Sequence, residues 1–276
     1  MAHLPGSTFD PALRQRIVSS LVLATGALAA TVFGGWVFVT MVVVAIAIMA
    51  GEWSRLAVEV RAPHSMLLAG TGAVPILAVL TLAAGAPGLA VSTLAAGAVA
   101  LALLALALPG WSAWRAAGGA FYLGAPALAL VWLRAHEPGG MEHLLWFLVV
   151  IWATDICAYL VGRSVGGPKL APCISPGKTW SGLLGGVAGA SLLGGLAAYA
   201  LGAGHWLAAG VGGCLAMVGQ AGDLFESALK RRAGVKDSGH LIPGHGGLLD
   251  RIDALVFAAP VFAGMVWFGL PAGSPP

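Results

Sequence analysis

Charge is what this chain has least of. Only 9% of its 276 residues are Asp, Glu, Lys or Arg, while 59% are hydrophobic. A water-solvated domain carries about 25% charged residues, so an ordinary soluble globule is excluded. Cysteine is also scarce. Cys157, Cys173 and Cys214 are scattered and none forms a CxxC pair, which argues against a disulfide framework or a zinc site and leaves them as small apolar side chains. No Ser/Pro-rich linker or low-complexity tail sets off a soluble domain, and the absence of an internal repeat counts against an inverted-repeat transporter.

What the chain has is long apolar runs. Crossing the hydrocarbon core takes about 20 apolar residues, and nine segments qualify, at roughly 17–33, 35–51, 65–84, 88–108, 118–134, 144–163, 180–202, 205–224 and 252–270. The expected fold class is therefore all-α, a polytopic transmembrane helical bundle of about nine spans, because unpaired strands would leave backbone groups unsatisfied in lipid. Spans one to five fall within residues 1–143, and spans six to nine with their loops within 144–276. Arg14 and Arg16 precede a run containing Ala27-Leu28-Ala29, similar to a signal-peptide cleavage site. The run continues well past it, so the first span is read as uncleaved. The first two spans are joined only through Gly34 and Gly35, which requires a tight turn. Gly182, Gly185, Gly186, Gly189, Gly194 and Gly195 crowd the seventh span, as close helix packing demands.

Lys and Arg orient the bundle. With the N-terminus in the cytoplasm and nine alternating spans, 13 of the 14 basic residues lie inside and only Arg134 lies outside. That bias follows the positive-inside rule.

Against this oily background, residues 223–253 read DLFESALKRRAGVKDSGHLIPGHGGLLDRID and hold 10 of the 25 charged side chains. Charges at a membrane boundary are costly unless they face water, a partner or a ligand. Asp223, Glu226, Ser227 and Lys230 recur at i, i+3, i+4 and i+7, along one helical face. Anchoring by anionic headgroups is the bland account of Arg231 and Arg232, and suffices for Arg232, but acids do not seek such headgroups. The loop from Lys236 to Gly247 carries Gly239, Gly244, Gly246 and Gly247 between Lys230, Lys236 and Arg251, a setting in which backbone N–H groups and cations can receive phosphate. His245 is a general-base candidate or a hydrogen-bonding spacer, with the spacer favoured. One aspartate at the start of the last span would be a helix cap. Asp250 together with Asp253, facing Asp223 and Glu226, reads instead as a carboxylate cluster suited to Mg²⁺ and a polyphosphate.

A second polar island lies upstream. Asp155, Tyr159 and Arg163 are spaced i, i+4 and i+8 on the sixth span, where a structural pair, Asp155–Arg163 or interhelical, competes with a catalytic role. The loop that follows, Lys169 to Trp180, contains Gly177-Lys178-Thr179 but has Pro172 where a P-loop needs glycine, so a P-loop is rejected.

Assembled, these residues resemble the bacterial integral-membrane phosphatidate cytidylyltransferases. Ser227, Leu229, Lys230, Arg231, Lys236, Asp237, His245, Gly246, Gly247, Asp250, Arg251 and Asp253 meet that family's signature. Asp223 and Glu226, the Asp155–Tyr159–Gly162–Arg163 set and Ile174-Ser175-Pro176-x-Lys178-Thr179-Trp180 fit as well. The resemblance is firm from about residue 150 onward. Gly177 and Ser181 depart from the commonest form, which has a basic and an acidic residue there.

The resemblance implies transfer of a cytidylyl group from CTP to phosphatidic acid, giving CDP-diacylglycerol and pyrophosphate for phospholipid biosynthesis. It implies Mg²⁺, with room for a second, monovalent ion. It implies Asp223 and Asp250 as metal ligands with Asp253 as a further carboxylate, and Lys230, Lys236 and Arg251 on the triphosphate. Ser175, Lys178, Ser227, Arg231, His245, Gly246 and Gly247 would complete substrate binding. The partners are CTP, phosphatidic acid and the bilayer, with room for a homodimer and no nucleic acid. The place is the bacterial inner membrane, multi-pass, with the active site facing the cytoplasm. A CTP-using lipid-alcohol kinase is the competing enzyme; a transporter would show polar residues along a path through several spans instead of at their ends.

Overall fold

The computed structural model describes residues 11–57, 64–108, 112–244 and 246–270. Arg61 and His245 lie outside them. The described residues form nine helices: α1 (Pro11–Phe33), α2 (Gly35–Ala57), α3 (His64–Ala83), α4 (Pro87–Ala107), α5 (Ala113–Ala135), α6 (Gly140–Val165), α7 (Trp180–Ala200), α8 (His205–Arg232) and α9 (Leu249–Trp267). Each coincides with one of the nine apolar segments. Six of them, α2 and α4 to α8, are long and apolar enough to cross a membrane, while α1 and α3 contain shorter apolar stretches, Ile17–Phe33 and Ala69–Ala83.

Local chemistry sets the ends. The α1–α2 turn is as tight as its two glycines require, with Gly34 at φ 63° and Gly35 at φ 50°, a backbone region that costs glycine little. Pro87 starts α4 at a position where its missing N–H is not needed. Thr179 caps α7 by accepting from the Gly182 N–H at 3.1 Å.

Helices α2 to α5 pack on one another, α6 to α9 do the same, and α5 lies against both α6 and α9. Most extensive is the α6–α7 interface, where the glycine face of α7 is used: a methyl on Gly186 would stand 3.0 Å from the Thr154 carbonyl. In lipid the apolar effect does not drive helices together, so close packing must. The core is accordingly dense, with Phe147 stacked on Phe262 at 5.2 Å and the Trp146 indole donating to the Gly194 carbonyl at 2.8 Å. Large apolar side chains such as Leu21, Phe33, Leu106, Leu184 and Trp206 point outward, as suits a protein solvated by hydrocarbon. A cavity of about 490 Å³ opens beside the α1–α2 turn, lined among others by Trp36, Trp132 and Arg134.

One expectation needs amending. The segment between α6 and α7, read as a loop in an all-α chain, folds into an antiparallel ribbon, β1 (Lys169–Ala171) against β2 (Ser175–Thr179). Lys169 pairs with Thr179 and Ala171 with Ser175. Pro176 is tolerated because in two strands every outer edge is free of a ladder. Ser181, one of the two departures from the family pattern, ties the ribbon's base by donating to the Gly166 carbonyl.

Candidate active site

The charged end of the bundle divides into two polar clusters. The first is buried and centres on Asp250, in the first turn of α9 ahead of its apolar stretch. Its Oδ1 accepts from Lys230 Nζ at 2.6 Å. Its Oδ2 accepts from the Ser238 N–H at 2.8 Å, the Ser238 hydroxyl at 2.9 Å and the Gly247 N–H at 2.8 Å. Burial raises the Asp250 pKa, but the hydrogen bonds from Lys230, Gly247 and Ser238 outweigh it and hold the carboxyl below its ordinary range. Lys230 also reaches Glu226 Oε1 at 3.1 Å. Glu226 is fully buried, and its Oε2 has no hydrogen-bond partner.

A carboxylate that sequence reasoning overlooked completes this cluster. Glu52, near the C-terminal end of α2, is buried and accepts from the Leu248 and Leu249 N–H groups, both at 2.8 Å. The three consecutive amides that open α9, those of Gly247, Leu248 and Leu249, are therefore all held by protein carboxylates. Helix N-termini favour such charges.

The second cluster is more open. Lys178, at the end of the ribbon, bonds Asp223 Oδ2 at 2.5 Å and Gln220 Oε1 at 3.0 Å, so the ribbon lies across α8. Arg231 strengthens that contact by donating from Nε to the Ile174 carbonyl at 3.2 Å. Residues 42 to 57 positions apart in the chain thus bring the two polar islands to one place. Ser227 donates weakly to Asp223 Oδ1 at 3.3 Å. Asp155, Asp223 and Asp253, from three different helices, lie within electrostatic reach of one another and of Lys178, and Arg251 bears on Asp155. Gly222 makes the α8–α9 approach possible, since a methyl there would sit 2.7 Å from the Asp253 carbonyl.

The expected helical face of Asp223, Glu226, Ser227 and Lys230 is thereby split. Asp223 and Ser227 turn to the open cluster, Glu226 and Lys230 to the buried one. Lys236 and Arg251 stand exposed at the rim, and Ser175 is half-buried on β2. Gly246 bridges to Ile242 across the loop. Arg163 does not take Asp155 as its partner; its guanidinium donates to the Tyr159 hydroxyl at 2.8 Å.

Comparison with known proteins fits this arrangement. The model of the Cytidylyltransferase family matches residues 14–268, both clusters included. The chain belongs to that family. Phosphatidate cytidylyltransferase of Brucella suis biovar 1 (strain 1330) is 43% identical over 250 residues, covering 90% of each chain. The Pseudomonas aeruginosa protein of the same name is 38% identical over 264 residues, 92% of this chain and 97% of its own. The Staphylococcus aureus (strain COL) protein of that name is 44% identical over 125 residues, 44% of this chain and 48% of its own.

A nucleoside triphosphate is a polyanion whose charge a bound divalent metal could offset. Among the described residues no three His, Cys, Asp or Glu side chains converge as a ready metal cage. Mg²⁺ does not require one, because it is commonly held by one or two carboxylates plus substrate phosphates. The open cluster offers that donor set in Asp223 and Asp253. Gln220 and Glu52 are the polar residues that the sequence reading missed. Both interrupt or end apolar runs, and an acid at such a boundary does not seek anionic headgroups; the argument that singled out Asp223 and Glu226 applies equally to Glu52.

Proposed function

We propose that the chain transfers the cytidylyl group of CTP to phosphatidate, giving CDP-diacylglycerol and pyrophosphate, as the names of its relatives describe. The observation that carries this reading is the open cluster: Asp223 of α8 bonds Lys178, the α6 and α9 carboxylates Asp155 and Asp253 lie within electrostatic reach of both, and Arg251 stands at the rim, at one end of a lipid-solvated bundle. A phosphate oxygen of the lipid attacks the α-phosphorus of CTP, the bond from that phosphorus to the bridging oxygen breaks, and pyrophosphate leaves. Both reactants are anions. Positioning and charge neutralisation therefore carry most of the catalysis. The second pKa of a phosphomonoester is about 6, so the attacking oxygen is ionised near neutral pH and needs no strong base.

Lys178, Lys236 and Arg251 offset phosphate charge at the cluster and its rim, and Ser175 and Ser227 donate hydrogen bonds to phosphate oxygens. Asp223 and Asp253 would hold Mg²⁺, which supplies charge compensation for the triphosphate. They are favoured over Asp250, whose two oxygens already accept from Lys230, Ser238 and Gly247. Asp250 instead fixes Lys230 and the loop. The bundle would cross the bacterial inner membrane nine times with this end in the cytoplasm, where CTP is made available; the 13-to-1 distribution of basic residues supports that orientation.

The test is incubation of the purified protein with labelled CTP, phosphatidate and Mg²⁺. A CDP-lipid with release of pyrophosphate is expected. Label transferred as a single phosphoryl group to a lipid alcohol, with CDP released, would establish the kinase instead. For the orientation, Cys173, exposed at the ribbon tip, should resist an impermeant maleimide added to intact cells and react once the membrane is opened.

A further inference from the structure

We propose that Glu52 is a positioning residue for this reaction: from α2 it pins the glycine-rich loop and the first turn of α9, and so sets Asp250, Lys230 and Lys236. The inference rests on the proposed function for its kinetic part and on geometry for the rest.

Glu52 is 3% exposed. Among the described residues its partners are the Leu248 and Leu249 amides and, at 3.4 Å, the Ser238 hydroxyl, with no cation bonded to it. The hydroxyl has one proton, and Asp250 at 2.9 Å holds the shorter bond to it. The Glu52 charge is thus sustained by two backbone amides at the end of a helix. Burying a carboxylate without a cation is costly, so the site must supply a compensating field, and the α9 N-terminus does so.

Simple capping is the bland account. A cap, however, is ordinarily drawn from the residues just before the helix. This one comes from 196 residues away in sequence and has the loop folded tightly around it. A methyl on Gly247 would lie 2.7 Å from the Glu52 carboxyl carbon, and one on Gly239 would lie 3.0 Å from Oε1. Close packing against Glu52 thus leaves no room for a side chain at Gly239, and packing against Ser238 and Glu52 together leaves none at Gly247. Gly247 also passes its own amide to Asp250 at 2.8 Å. A shift of the α9 first turn would carry Asp250 away from Lys230 and alter the spacing between the loop and the open cluster. The N-terminal helices, which carry no part of the family signature, would then control the chemistry through one carboxylate.

The experiment compares the parent with Glu52→Gln in detergent. Gln keeps the shape and one acceptor but turns an NH₂ group toward a second N–H. The expected result is a fall in kcat on the order of 10- to 100-fold, as for other residues that orient a site through a partner. Amide exchange should quicken in 246–250 and stay unchanged in α3 to α7, and the melting temperature should stay within a few degrees. Parental kcat, or exchange that quickens throughout α2 to α5, would overturn the proposal. Should Glu52→Gln fail to accumulate, Ser238→Ala tests the same pin from the loop side: a several-fold loss of kcat with faster exchange in 246–250 is expected, and unchanged exchange there overturns it. An inactive parent would refute the proposed function, while the exchange comparison would still decide whether Glu52 holds the loop.

Discussion

The buried cluster around Asp250 and the open cluster around Asp223 use the same residue types to opposite ends. In the first, four hydrogen bonds saturate one carboxylate, a lysine bridges two acids, and a second carboxylate holds two amides. In the second, Asp223 has one close cation and one weak hydroxyl contact, and two further aspartates lie within electrostatic reach of it. Groups bonded this fully to the protein hold geometry. Like charges gathered in one place are unfavourable unless a cation or a cationic partner joins them. Under the proposed function, the contrast would separate the part of the signature that shapes the site from the part that meets substrate.

The largest effect should come from the open cluster. Asp223→Asn and Asp253→Asn keep volume but remove the charge that holds a hard cation, so turnover should fall by on the order of 10²–10³-fold or more at any CTP concentration. Melting temperature should stay close to the parent's, as read by thermal denaturation in detergent. Asp250→Asn sharpens the comparison because it should lose both. Breaking the buried Lys230 pair costs about 3–5 kcal/mol, so this variant should melt clearly lower and turn over slowly in proportion to the misfolded loop. An Asp250→Asn protein with parental stability and no turnover would move Asp250 into the metal site and dissolve the distinction.

Rim cations should affect binding more than stability. Arg251→Ala and Lys236→Ala each remove a charge-assisted contact and leave no buried hole, so KM for CTP should rise about tenfold with unchanged melting, measured by initial rates at varied CTP. Glu226→Gln should do less. It keeps the oxygen that meets Lys230 and places its NH₂ where Oε2 already lacks a partner, so a change of only a few-fold in kcat is expected. At the far end, Trp36→Leu alters the cavity beside the α1–α2 turn and should leave CDP-lipid synthesis at the parental rate.

Much of the site could be read from the chain because its parts are short and local. The spacing of Ser227, Lys230, Lys236, Asp250, Arg251 and Asp253 is a pattern over fewer than 30 residues. The division of labour inside it could not be read, since Asp250 and Asp253 look alike three residues apart on a helix start. Which of them turns to Lys230 and which to Asp223 depends on how α8 and α9 cross at Gly222. The ribbon was hidden for a related reason. Pro168, Pro172 and Pro176 stud a segment that reads as a loop; the first two flank β1, and only Pro176 lies within a strand, where the free outer edge accommodates it.

Run length, hydropathy and motif spacing are properties of neighbouring residues, so the chain alone determined that nine helical segments exist and where most of their ends fall within a few residues, although α1, α2 and α8 each run six to eight residues beyond the apolar segment at one end. It also marked the charged groups gathered between α8 and α9. Contacts across the fold were left to the tertiary structure. Glu52 is joined to Leu248 and Leu249 across 196 and 197 residues, and Lys178 to Asp223 on another helix. Beside Arg55, Glu52 looks like an ordinary charged residue at the end of an apolar run. Its partners are backbone amides, which every residue carries and no sequence pattern marks, so only the packing of α2 against the α9 N-terminus could reveal what the carboxylate holds.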